Sequence, residues 1–166
     1  MTDEYIYIGK IANTHGIKGE VRILSNFEYK DKVFLENRRI YIGEEHIEEI
    51  VNTYRHHKIF DMITMKGYNN INQVLKYMNK NVYVKKNDLD FKDGEYLDSD
   101  LINLNVIFGN KEVGTVLAIK NTGSNNKVIE ALINGKKTLI PYHKDFVKKI
   151  DLASGLIELD LIEGMI

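Results

Sequence analysis

A mostly β chain of two small β-barrel domains, with one or two short helices, is the fold class this sequence predicts, and three observations carry it. Short runs alternate apolar and polar residues, as in Glu20-Val21-Arg22-Ile23-Leu24 and Leu156-Ile157-Glu158-Leu159-Asp160-Leu161, which is the period of a half-buried strand. Turn residues punctuate those runs at close intervals. Asn134-Gly135 is the strongest of these signals, because both central residues of its hairpin turn need positive φ. Only one stretch, Ile71, Val74, Leu75 and Met78, has helical spacing. With 166 residues, 43% of them hydrophobic and 28% charged, the chain holds enough apolar material for one large or two small cores.

Taken in order, residues 5–8 and 20–24 predict strands that flank a glycine loop spanning 9–19. Residues 26–37 read as a polar loop with a short helix, and 38–43 as a strand ending on a Gly-Glu-Glu turn. Residues 46–54 and 58–66 predict two further strands, joined by a hairpin over Arg55-His56-His57-Lys58. The helical spacing from Ile71, capped by Asn69 or Asn70, predicts about two turns of helix across an open side of the barrel. Residues 81–84 resume the strand pattern and complete a first domain over 1–84. Residues 85–95, KKNDLDFKDGE, are dense in charge and poor in core anchors, so a linker is expected there. The rest, 96–166, reads as strands over 104–108, 114–120, 127–133, 136–140, 146–151 and 156–161, a small antiparallel barrel. Pro141 ends a strand or sits on an edge.

The charge balance excludes a free phosphate-gripping arm. Lys and Arg number 23 against 24 Asp and Glu, and the two parts are equally balanced, with 12 basic and 11 acidic residues over 1–84 and 11 and 13 over 85–166. Cysteine is absent, which removes disulfides, thiolate nucleophiles and Cys-ligated zinc. Asp3 and Glu4 stand where a secretory signal needs positive charge, and no apolar run reaches the roughly 18 residues of a membrane helix. A cytoplasmic protein with no membrane partner is expected.

The candidate for chemistry is the loop holding Asn13, Thr14, His15, Gly16, Lys18 and Gly19. Its glycines let the chain reverse tightly, and its amides with Lys18 can form an anion nest. It matches neither of the common phosphate-loop patterns, and no helix follows it directly. His15 as a general base would have only Thr14 and Asn13 for company. His56 and His57 point to opposite faces of a strand, and no histidine has metal-ligand spacing, so no metal and no cofactor are expected. The acidic pairs read as solvated surface, and Tyr96 is placed to anchor an interface. Two readings stand on the residues alone, a phosphate-ligand-binding enzyme using residues 13–19 and a binding protein.

Several separated motifs then point to one family. GKIANTHGIKGEVRI resembles the opening of the ribosome maturation factor RimM family, and EYLDSDLINLNV resembles the start of that family's PRC-barrel domain. The segments VGTVLAIKNTGSNNKVIEA, LIPYHKDFVKKIDL and IELDLIEGMI follow the rest of that domain in order. The resemblance implies a translation-factor-like barrel joined to a PRC barrel, and a non-catalytic, monomeric assembly factor. It implies binding to the immature small (30S) subunit and its ribosomal protein S-nineteen, with support for 16S rRNA folding and processing. It assigns the loop motif to Thr14, His15, Gly16, Lys18, Gly19 and Glu20, facing the particle or RNA. Its partner-contacting aromatic pair falls on Tyr96 and Leu97, with Asp98 and Asp100 beside them and Asp93 and Glu95 extending an acidic rim. Three positions depart from the family pattern: Leu97 replaces the second aromatic, Asn103 a glycine and Asn126 an aspartate.

Overall fold

The computed structural model describes residues 4–92, 94–121 and 126–162. The chain divides into two compact units, Met1–Asp90 and Phe91–Ile166, and the fold is mostly β with a few short helices, as the sequence predicts.

In the first unit, β1 (Tyr5–His15), β2 (Glu20–Leu24), β3 (Arg39–Ile42), β4 (Ile47–His57), β5 (Phe60–Met65) and β6 (Asn81–Lys85) close a barrel in the order β1-β2-β5-β4-β3-β6. The alternation in β2 sorts as its sequence requires, with Val21 and Ile23 buried and Glu20 and Arg22 partly exposed. β1 is shared between two neighbours, and register shifts at Tyr7/Gly9 and Ile11/Asn13 let it bend from β6 to β2. Asp61 is buried in β5, where Lys30 Nζ lies 2.8 Å from its carboxylate and the Tyr54 hydroxyl donates to it at 2.6 Å. Those two partners replace the water a buried carboxylate loses.

Two expectations are corrected here. β4 continues through Arg55, His56 and His57, so the hairpin turns on Lys58 and Ile59 alone, with Lys58 at φ 56. The helix between β5 and β6 also does not cover an open side, because the barrel is closed. Helix α1 (Lys30–Val33) precedes β3, and α2 (Ile71–Val74) opens with a capping box between Asn70 and Gln73. A 3-10 turn over Leu75–Tyr77 follows, so Val74 and Tyr77 point inward at i, i+3 while Leu75 stays 49% exposed. The hydroxyls of Tyr68 and Tyr77 both donate to Glu49 Oε2, fastening this turn to β4.

Within the charged stretch 85–95, Lys85 ends β6 and Lys86–Asp88 forms a 3-10 turn. Leu89 is buried, Arg38 Nη1 donates to Asp88 O at 2.6 Å, and Arg39 pairs with the Asp88 carboxylate at 3.0 Å.

The second unit begins with α3 (Asp98–Leu101) and continues through β7 (Asn105–Phe108), β8 (Lys111–Asn121), β9 (Lys127–Ile133), β10 (Lys136–Pro141), β11 (Val147–Asp151) and β12 (Leu156–Leu159). These six strands form one sheet, β10-β9-β8-β7-β12-β11, over a core that includes Leu101, Val106, Val116, Ile129, Ile140 and Ile157. Asn134 and Gly135 take φ 49 and 84, the paired left-handed turn their sequence calls for. Pro141 is the last residue of β10, at one end of the sheet. The sequence predicts antiparallel pairing throughout, yet β12 runs parallel to β7. Four strands separate these two along the chain, so no tight turn dictates their relative direction. Gly114 has no room for a side chain, since a Cβ there would lie 1.6 Å from Leu132 O. No helix among the described residues is long and apolar enough to cross a membrane.

Candidate functional site

The glycine loop is a tight connection pinned from behind. β1 and β2 pair to their ends at His15 and Glu20, and Gly16 and Gly19 take φ 69 and 89 between them. The Ile71 amide donates to Ile17 O at 2.9 Å, and the space a Cβ at Gly19 would fill ends 3.0 Å away at Asn70 O. The loop therefore rests on the start of α2 and presents its other side outward. Ile17 is 78% exposed, Lys18 and Asn13 are exposed, and the Thr14 amide is taken by Asn13 Oδ1 at 2.8 Å.

Strand order brings a second hairpin to the same rim. β2 pairs with β5 and β5 with β4, so the Lys58-Ile59 turn stands near residues 16–19 although it lies some forty residues further along the chain. Arg55 grips Glu20 with two parallel bonds, Nε to Oε2 at 2.9 Å and Nη2 to Oε1 at 2.8 Å. Arg22 Nη2 lies 2.7 Å from His15 Nδ1. Because a guanidinium only donates, Nδ1 is the acceptor and the His15 ring proton sits on Nε2. The Arg22 guanidinium also stands 5.5 Å from the centre of the Phe60 ring, and the His15 and His57 rings are 6.2 Å apart.

The result is a rim with a surplus of positive charge. Lys18, Arg22, Arg55 and Lys58 belong to these two hairpins along with Glu20, which Arg55 engages, and the side chains of Ile17 and Ile59 (70%) are exposed at their tips. The Arg55 hydrogen bond holds the Glu20 carboxyl below the usual glutamate range. Partial desolvation, then the neighbouring charges of Arg55 and Lys58, push the His57 imidazole down. A cleft of about 390 Å³ opens between the loop and β5, lined by His15, Ile17, Lys18, Glu20 and Thr64. Cations on a fixed frame with aliphatic tips suit the binding of an anionic, partly apolar surface.

The second group of expected residues lies in the other unit. Tyr96 is half-buried against that unit's core, with its hydroxyl 3.5 Å from Ile150 O. Asp98 opens α3 and pairs with Lys127 at 2.9 Å, while Asp100 is partly exposed. Leu97 does not join them at the surface. It is 2% exposed, and its carbonyl accepts from the Asp100 amide at 3.0 Å. Glu95 Oε1 accepts from the Lys92 amide at 2.8 Å, and Asp93 lies outside the described residues.

Family models match the chain in two consecutive segments, the RimM N-terminal domain over residues 6–89 and the RimM PRC barrel domain over residues 98–165. The chain belongs to the RimM family. A ribosome maturation factor RimM from Bacillus mycoides is 31% identical over 98% of this chain and 99% of its own length. One from Staphylococcus haemolyticus is 36% identical over 97% and 98%. The N-terminal domain of RimM from Thermus thermophilus aligns with 53% of this chain and 96% of its own length, at 18% identity and a TM-score of 0.45.

Family membership covers both candidate regions unequally. Residues 13–20 lie inside the first matched segment and Asp98 and Asp100 inside the second, while Tyr96 and Leu97 fall between the two. Asn103, where the family pattern has glycine, takes φ 70, a left-handed conformation that asparagine tolerates best after glycine. The rim residues Arg22, Arg55, Ile59 and Phe60 were not singled out from the sequence, and His57 was weighed there only as a metal ligand. Their only signal was the basic run 55–58, which reads as an ordinary hairpin until strand order sets it beside the glycine loop.

Proposed function

We propose that this chain is a maturation factor for the small ribosomal subunit, acting in the cytoplasm as a monomer that binds the immature 30S particle and supports 16S rRNA folding and processing without making or breaking bonds. The observation that carries this reading is family membership over both units, each matched along nearly its whole length. The rim of the first unit supports it physically. Lys18, Arg22, Arg55 and Lys58 with Glu20, set on two adjacent hairpins, suit a phosphate-bearing surface, and His15 is engaged by Arg22 instead of standing beside a nucleophile. In this reading Asn13, Thr14, His15, Gly16, Lys18 and Gly19 face the RNA or the particle.

The second unit would hold ribosomal protein S-nineteen. Asp98 and Asp100, on the first turn of α3 beside Tyr96, would meet the positive surface expected of a ribosomal protein, with complementary charge setting orientation and rate more than affinity. The Leu97 carbonyl ties that turn by accepting from the Asp100 amide.

Co-sedimentation with small-subunit precursors from cells lacking the gene tests the reading. The wild-type chain is expected to travel with the particle, Lys18→Glu to travel less, and a Tyr96→Ala, Asp100→Lys double variant to lose capture of purified S-nineteen. A chain that leaves precursor particles unbound, together with normal 16S rRNA ends in the deletion strain, would overturn it.

A further inference from the structure

We propose that the cleft between Tyr96 and the β10–β11 connection of the second unit is a binding site for single-stranded RNA. The cleft has a volume of about 530 Å³, and the side chains lining it are aromatic, aliphatic or basic, with no carboxylate among them. The nearest carboxylates to this lining pair with it from outside, Asp145 with His143 at 3.3 Å and Asp160 with Lys148. Tyr96 forms one wall, tied to β11 through its hydroxyl and Ile150 O. Tyr142 contributes a second aromatic, held in place by its amide, which donates to Lys127 O at 2.9 Å.

The cations are placed by a turn with its own hydrogen bonds. His143 N–H donates to Pro141 O, and the amides of Phe146 and Val147 both donate to His143 O, each at 2.9 Å. This fixes Lys144 at the tip, while Lys148 and Lys149 follow on β11. Lys148 is partly neutralised by Asp160 at 3.5 Å. Lys144 makes no ion pair among the described residues, and Lys149 makes no ion pair there either but acts through its charge on the Asp151 carboxylate.

Two tyrosines, an aliphatic floor at Ile150 and three exposed lysines form a stacking platform inside a basic groove, the combination that holds unpaired bases and their phosphates. Lysine suits this role as a compact, mobile charge that follows a flexible backbone. Neither Asp98 nor Asp100 of α3 lines the cleft, so the charge it offers a ligand is basic.

The test titrates the full chain with a fluorescein-labelled oligouridylate between about 50 and 200 mM salt and maps ultraviolet cross-links by mass spectrometry. Cross-links at Tyr96 or Tyr142 are expected. A Lys144→Glu, Lys149→Glu double variant is expected to lower the slope of log affinity against log salt by about 1.4, from two lost phosphate contacts at roughly 0.7 each. Tyr142→Leu, which keeps the bulk and removes the ring, is expected to weaken binding about tenfold with the slope unchanged. Capture of S-nineteen should be unaffected by the lysine variant. Cross-links confined to the rim of the first unit, or an unchanged salt slope, would overturn the proposal. So would saturable binding of a polyglutamate peptide that the oligouridylate does not displace.

Discussion

The two units solve the problem of presenting a surface in different ways. The first closes into a barrel and gathers its cations at one rim, from residues 15–22 and 55–60, which only strand order brings together. The second keeps its candidate residues within short stretches, with Asp98 and Asp100 on one helical turn and Lys144, Lys148 and Lys149 within six residues of each other. A rim built across strands is rigid and depends on the whole barrel, whereas local stretches depend on one turn each. The buried carboxylates differ in the same way. Asp61 is fully enclosed and held by Lys30 and Tyr54, while Glu130 on β9 is held by Lys120 at 2.6 Å and Lys137 at 3.5 Å, both reaching in from solvent.

The contrast can be broken most forcefully at Gly114. Gly114→Val drives a side chain into Leu132 O, and we expect a loss of about 3 kcal/mol confined to the second unit. Calorimetry should show one transition falling while the other holds; a single transition moving as a whole would mean the units unfold together. Next in size is Asp61→Ala, expected to cost about 2 kcal/mol in the first unit by stranding the Tyr54 hydroxyl and releasing Lys30. Urea unfolding checks this, and Glu130→Ala should cost less because its lysines return to water.

Smaller effects sharpen the picture of the rim. Gly19→Ala places a side chain at φ 89 and presses on Asn70 O, with an expected loss of about 1 kcal/mol. Because the loop shifts off α2, particle binding in co-sedimentation should fall further than that loss accounts for.

The smallest effect is a pH dependence. The folded His57 imidazole is depressed, first by desolvation and then by Arg55 and Lys58, so unfolding takes up a proton near the ordinary value of about 6.5. Stability contributed here is therefore complete above that pH and declines as pH falls toward the folded value. Glu20 is depressed by its Arg55 hydrogen bond, so its contribution is present above the usual glutamate value and is lost as pH falls through the folded one. Arg55→Gln should flatten the lower limb and weaken the upper one in urea titrations across pH; unchanged limbs would separate Arg55 from both groups.

Much of this molecule was legible from residue order. The alternations at 20–24 and 156–159, the Asn134-Gly135 turn and the Asn70 cap are local signals, and each is realised within a residue or two. Of the candidate residues, the loop 13–19 announced itself through its glycines, and Tyr96 through its neighbours. The burial of Leu97 was not legible, because an apolar residue at the start of a short helix can face either way, and burial is settled by what the rest of the chain places over it.

By itself the sequence determined the elements, the turn chemistry and, through its ordered motifs, the family, because these depend on contacts between near neighbours in the chain. Tertiary structure alone decided that Arg55 grips Glu20, that β12 runs parallel to β7, and that Tyr96 lines one cleft with Lys144, Lys148 and Lys149. The physical reason is common to all three. Charge and pairing act across a few ångströms of space, and which distant segments come that close is fixed only when the strands have taken their order.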